Sequence, residues 1–179
     1  MTNETTQFLV RWLCHDLATP IASVMTASEL LDDDTPDPEI NELIMSGARH
    51  LAARLKLVRL ALGAADSAMS SAALERLVRE GLEGTRLDWQ FSGDAADGMA
   101  ALVAGCAVLT ADLNRQRALV ISNRAVFADA DCTWPDTVVA VFAGAPASCN
   151  RSAVAAMLVT TAARAGKTII CDSKGLRWG

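Results

Sequence analysis

Asp32-Asp33-Asp34-Thr35-Pro36-Asp37-Pro38 is the stretch on which the fold turns. Acidic residues, a turn former and two prolines cannot continue a helix. Upstream, from about Thr5 to Asp33, Leu9, Leu13, Leu17, Val24, Ser28 and Leu31 recur by threes and fours, with Pro20 filling the step between Leu17 and Val24. That period is one stripe of a helix. Downstream, Ile40, Ile44, Gly47, Leu51, Leu55, Val58 and Leu62 keep the same spacing up to Gly63, predicting a second helix from about Pro38 to Leu62. Asp37 is placed to cap it, Pro38 suits its first position and Glu39 suits the positive end of its dipole. Two long helices joined by a short turn form an antiparallel hairpin. Such a hairpin cannot bury both stripes alone, and pairing with a second copy into a four-helix bundle solves that problem.

The bulk composition supports a folded chain. Of 179 residues, 51% are hydrophobic and 21% charged, enough to bury a core. Aromatics are only 4% and tyrosine is missing, so alanine, leucine and valine do most of the packing. The net charge of -5 argues against nucleic-acid binding, which draws its affinity from lysines and arginines. The polar start Met1-Thr2-Asn3-Glu4-Thr5-Thr6 does not read as a signal peptide, and apolar runs such as Met99 to Leu109 are far shorter than the ~20 residues a bilayer needs. The expectation is a cytoplasmic protein with no membrane partner. Cys14, Cys106, Cys132, Cys149 and Cys171 include no C-x-x-C pair, and with two histidines in the chain no metal site is expected.

Beyond the hairpin the pattern changes. Ala64 to Ser71 is a connector, and Ala72 to Leu82 reads as a short helix. Strands are predicted at Arg86 to Phe91, Ala118 to Ser122, Val126 to Asp131, Thr168 to Cys171 and Gly175 to Trp178. Helices are predicted at Met99 to Arg115, Thr137 to Ala143 and Arg151 to Ala165. This is an α+β layer with helices on one face of a small mixed sheet. Residues 1–65 are thus read as a hairpin domain and 72–179 as an α/β domain.

The stretch that carries chemistry is Leu13-Cys14-His15-Asp16-Leu17-Ala18-Thr19-Pro20. With Leu13 and Leu17 on the buried stripe, His15 lies roughly 200° from each and points to solvent. A neutral, exposed imidazole carries a lone pair on one ring nitrogen. Asp16 is placed to accept the proton of the other ring nitrogen and so orient the ring. Arg11 lies one turn before His15 and offers a cation to a transferred phosphate. Ala18, Thr19, Ala22, Ser23 and Thr26 make a surface of small residues beside it, suited to a visiting folded protein. Trp12 and Phe8 are docking anchors or packing residues; Cys14 is read as packing. His50 is read as a surface or dimer-edge histidine, and Asp32 to Asp34 as an acidic turn.

The pattern H-[DE]-[LI]-x-[STN]-P arises by chance in on the order of one chain per thousand of this size. It resembles the H-box of two-component sensor histidine kinases, and the Leu-Cys-His-Asp-Leu form resembles more closely the ChpT-like histidine phosphotransferases. The resemblance is strong over the hairpin; over the rest it extends only to the order of elements. It implies a homodimer with a central four-helix bundle and a carboxy-terminal domain shaped like a kinase ATPase domain. It implies that His15 relays phosphoryl groups between the receiver domains of a hybrid histidine kinase and of response regulators, with Asp16 as the acid-base neighbour and Thr19 as the polar residue one turn on.

An ATP-binding kinase domain of that kind needs an asparagine-bearing helix and a D-x-G-x-G loop. Asn114 stands alone at the end of its helix, no D-x-G-x-G occurs, and Asp94 to Gly98 and Asp129 to Cys132 lack the second glycine. A degenerate domain without nucleotide is expected, the chain itself needing no cofactor and Mg2+ sitting only on the partner receiver. Two other readings stay open: a non-catalytic dimeric adaptor or pseudokinase, and an aspartyl-phosphate phosphatase in which Thr19 positions water.

Overall fold

The computed structural model describes residues 3–31, 37–64, 68–96 and 98–179. Helix α1 spans Asn3–Glu29 and α2 spans Pro38–Ala61. They run antiparallel, because residues further back on α1 meet residues further forward on α2. Val24 faces Gly47, whereas Asp16 faces Arg54. A Cβ on Gly47 would sit 2.7 Å from Val24 Cγ2, so glycine is what lets the helices approach there. Asp37 caps α2 as expected, accepting from the amides of Glu39 at 2.8 Å and Ile40 at 3.5 Å. Gly63 follows with φ +67°, a left-handed turn that suits glycine. Helix α1 stops at Glu29 rather than Asp33, and Leu30 and Leu31 are exposed; acids at a helix C-terminus oppose its dipole. The acidic turn at Asp32 to Asp34 lies outside the described residues.

The remaining elements are α3 (Ser71–Gly81), β1 (Leu87–Trp89), α4 (Met99–Leu113), β2 (Leu119–Ile121), β3 (Ala125–Ala128), α5 (Asp136–Phe142), α6 (Asn150–Arg164), β4 (Ile169–Cys171) and β5 (Gly175–Trp178). The five-stranded sheet has order β1-β2-β3-β5-β4. β1 and β2 are parallel and joined through α4, while the other pairs are antiparallel, so the sheet is mixed. The α+β class and the succession of elements agree with the sequence reading, with ends shifted by a few residues.

Helix α4 is the centre of the molecule. Every residue from Ala100 to Thr110 is buried, as befits a helix apolar on all sides. It packs on β2, β3 and β5 and against α2, α3 and α6. Gly105 makes the closest of these approaches, since a Cβ there would overlap the Leu158 side chain of α6. Gly81 does the same for α3, where an added Cβ would lie 2.6 Å from Leu57 Cβ. Trp12 of α1 and Leu57, Val58, Leu60 and Ala61 of α2 belong to the same buried cluster as α4 and the sheet. One end of the hairpin is therefore embedded in the second half of the chain. The other end carries exposed Ile21, Met25, Leu43 and Met45.

Candidate functional site

His15 lies mid-helix on α1, exposed, between the half-buried Leu13 and Leu17. The helical geometry that predicted this orientation holds because Leu9 and Leu13 pack on the core cluster. The imidazole opens onto a cleft of about 220 Å³ between α1, the end of α4 and the start of α6. Trp12, His15, Asp16, Leu109, Asp112, Arg115, Asn150 and Arg151 line it. Arg115 and Arg151 are both exposed. Sequence reasoning missed both, since each comes from a different element far along the chain and only tertiary packing sets them beside His15. Gln116, next to Arg115, takes a left-handed φ of 74°, which turns the chain sharply at the end of α4.

The structure joins Asp16 to Arg54 and not to His15, which corrects the expected Asp16–imidazole hydrogen bond. Adjacent helical residues diverge by ~100°, so Asp16 faces α2 while His15 faces outward. Arg54 Nε donates to Asp16 Oδ2 at 2.8 Å and Arg54 Nη2 to Asp16 Oδ1 at 2.8 Å, a two-pronged clasp. Nη2 also reaches Asp112 Oδ1 on α4 at 3.0 Å, and Nη1 reaches the Gly81 carbonyl oxygen at 3.4 Å. Arg54 is buried. Burial opposes its charge, but the hydrogen bonds it donates to Asp16 and the two carboxylate charges raise its pKa and keep it a cation. Burial pushes the Asp112 carboxyl above its ordinary range, the Asp16 charge adds to that, and Arg54 opposes it.

A second surface lies along α1 past His15. Ala18, Thr19, Ala22, Ser23, Thr26, Ala27, Leu30 and Leu43 line an open groove of about 610 Å³. All five of the small residues singled out from the sequence, Thr19 included, line this groove. Ser23 Oγ bonds back to the Thr19 carbonyl at 3.1 Å, so its hydroxyl is used within the helix.

No family model matches the chain. A stretch of 56 residues is 41% identical to protein phosphotransferase ChpT of Brucella abortus (strain 2308), covering 31% of this chain and 27% of that relative. A solved structure of a bacterial phosphotransferase superposes with a TM-score of 0.75, covering 99% of this chain and 96% of that one at 19% identity. Over those 56 residues the chain is similar to ChpT, and over its length it shares the fold of the bacterial phosphotransferase structure.

Several of the expected site residues take other parts. Trp12 is 9% exposed and packs in the core, so it is no docking anchor; its large ring is more stable buried under α4 and α6 than in water. Cys14, expected to pack, is exposed. Arg11 is exposed one turn before His15 and does not line the cleft, where Arg115 and Arg151 stand instead. His50 is half-buried, its Nδ1 2.6 Å from Glu83 Oε2.

Asn114, Asp129 and Asp131 are paired within the chain. Asn114 is buried, its side-chain oxygen accepting from the Thr133 amide at 2.8 Å and its nitrogen donating to the Thr110 carbonyl at 3.2 Å. Asp131 pairs with Lys174 at 2.7 Å and Asp129 with Arg86 at 3.6 Å. Among the described residues, no helix is long and apolar enough to cross a membrane.

Proposed function

We propose that this chain is a histidine phosphotransferase of a two-component phosphorelay. The observation that carries the proposal is an exposed imidazole at the mouth of a cleft bearing two arginines and beside a groove of small residues. A ring nitrogen of His15 attacks the phosphorus of an aspartyl phosphate on a receiver domain. The N–P bond forms, the acyl P–O bond breaks, and the aspartate leaves as a carboxylate on the receiver, where a receiver-bound Mg2+ would balance its charge. The reverse step passes the group to a second receiver. Arg115 and Arg151 meet the charge of the phosphoryl group. Asp16 and Thr19 complete the acceptor site. Arg11, Ala18, Ala22, Ser23 and Thr26 contact the receiver, and flat, small side chains let its active site come close.

The donor receiver belongs to a hybrid histidine kinase and the acceptor to a response regulator, all in the cytoplasm. The sheet-bearing half is a degenerate ATPase-like domain that binds no nucleotide, so the chain does not phosphorylate itself. Two copies pair through the hairpins into a four-helix bundle. Exposed Ile21, Met25 and Leu55, with the half-buried Leu51, support that pairing because water leaves a stripe of this kind uncovered at a cost.

The test is to incubate the protein with a radiolabelled phosphoreceiver. Label that is lost in acid and kept in base is expected on the wild type and not on His15→Ala. Equal labelling of both refutes the proposal. Receiver binding without any label identifies an adaptor. Receiver dephosphorylation that needs Thr19 while His15 stays unlabelled identifies a phosphatase.

A further inference from the structure

The phosphotransfer reading leaves the buried Arg54 unused, although this side chain touches more elements than any acceptor-site residue described above. Its guanidinium clasps Asp16 of α1 with two bonds of 2.8 Å, reaches Asp112 of α4 at 3.0 Å and the Gly81 carbonyl of α3 at 3.4 Å, and is itself rooted in α2. Pro20 lies one turn after Asp16 and has no amide to bond the Asp16 carbonyl. The backbone of α1 therefore lacks one helical bond in the turn that follows the nucleophile. The side-chain clasp supplies a restraint at that same residue.

His15 and Asp16 are adjacent, so their directions differ by a fixed ~100°. Leu9, Trp12 and Leu13 seat α1 on the core; pinning Asp16 over α2 adds the polar restraint that narrows the remaining rotation of α1 about its own axis, and that rotation decides whether the imidazole faces Arg115 and Arg151. A ring tip lies roughly 6 Å from the helix axis, so a turn of ~10° moves it by ~1 Å. A displacement of that size costs up to about 100-fold in rate.

We propose that Arg54 is the positioning residue of the acceptor site, holding Asp16 so that His15 faces the arginine-lined cleft, and that Asp16 is the anchor of α1 and not a proton carrier. This rests on the phosphotransfer reading. Losing either partner of the clasp frees the same rotation, so the two losses have one origin and do not add. Lysine at position 54 keeps the charge but cannot bond both Asp16 oxygens at once.

The experiment is single-turnover transfer from a radiolabelled phosphoreceiver to the wild type, Arg54→Gln, Asp16→Asn, the double variant and Arg54→Lys. It is run over a range of receiver concentrations and from pH 6 to 8.5, with far-UV circular dichroism confirming the fold. Arg54→Gln and Asp16→Asn should each lower the limiting rate by roughly 10- to 100-fold, with the half-saturating receiver concentration changed less than about threefold and the pH profile unchanged in shape. The double variant should match the singles, and Arg54→Lys should recover part of the rate. Should Arg54→Gln fail to fold, Arg54→Lys and Asp16→Asn decide alone: a slowed lysine variant and an unchanged pH profile support the proposal, and wild-type rates refute it. Transfer in Arg54→Gln as fast as wild type shows that Arg54 does not position the site, and loss of one limb of the pH profile in Asp16→Asn makes Asp16 the proton carrier; either overturns the proposal while leaving the relay intact. No label on the wild type removes the relay itself, and the proposal with it.

Discussion

Replacing Arg54 by alanine removes a cation that two carboxylates share. The side chains of Arg54, Asp16 and Asp112 are 9%, 15% and 25% exposed. At about 3 Å and an effective dielectric of about 20, each attraction amounts to roughly 4–6 kcal/mol before desolvation. Most of that is cancelled by the cost of burying the ions. The variant, however, keeps the buried acids and loses their partner, and breaking a buried pair in this way costs about 3–5 kcal/mol. For a chain of this size, that is a fall in Tm of about 10 °C. The deficit should also depend on pH. Asp112 already titrates above the ordinary carboxylate range because of burial, with Arg54 opposing the shift, so the variant raises it further. A raised folded pKa means stability that is complete below the ordinary carboxylate value and lost as pH rises through the folded value. The gap between wild type and Arg54→Ala should therefore be widest near neutral pH and narrow toward pH 4. Urea unfolding followed by circular dichroism at pH 7.5 and pH 4.5 measures it. A difference below about 1 kcal/mol, equal at both pH values, would mean the network behaves as a surface ion pair and would refute the reasoning.

Asp172 offers the opposite sign. It accepts from the amides of Lys174 at 2.8 Å and Gly175 at 3.1 Å and pairs with Arg177. Burial works against its charge, but these amides and the guanidinium outweigh it and lower its pKa. Its contribution is present above the ordinary carboxylate range and lost as pH falls through the lowered value, so Asp172→Ala should cost about 1–2 kcal/mol at pH 7 and almost nothing at the acid limit, by chemical denaturation. Gln116→Gly should raise stability by up to about 1 kcal/mol, because glycine accepts a left-handed φ without the Cβ clash; an unchanged or lower Tm would count against strain there. If the proposed pairing holds, wild type should sediment as a dimer and Leu51→Glu as a monomer, since the substitution sets two like charges into a small bundle core; an unchanged profile would count against pairing through this stripe.

The hairpin was legible because its information is local. The spacing of Leu9, Leu13 and Leu17, the break at Pro36 and Pro38 and the Asp37 cap all act within a few residues. The strands were legible for the same reason, each being short and bounded by turn formers. The groove of Ala18, Thr19, Ala22, Ser23 and Thr26 followed from one helix face. What sequence left hidden was contact between distant segments. Arg115 and Arg151 reach His15 only because the ends of α4 and α6 meet α1. The Arg54 clasp links positions 16, 54 and 112, which no spacing rule connects. Trp12 stayed open between docking and packing for the related reason that one turn of helix reads alike whether it faces a partner or its own core.

The central claim is that His15 carries the phosphoryl group between partners. Its most direct test is phosphorus NMR of the protein mixed with a phosphoreceiver, with the modified residue located by tandem mass spectrometry. The account predicts a phosphoramidate resonance that maps to His15 and decays when an unphosphorylated receiver is added. Phosphate found on another residue, or a receiver signal that vanishes to free phosphate with His15 never modified, contradicts it.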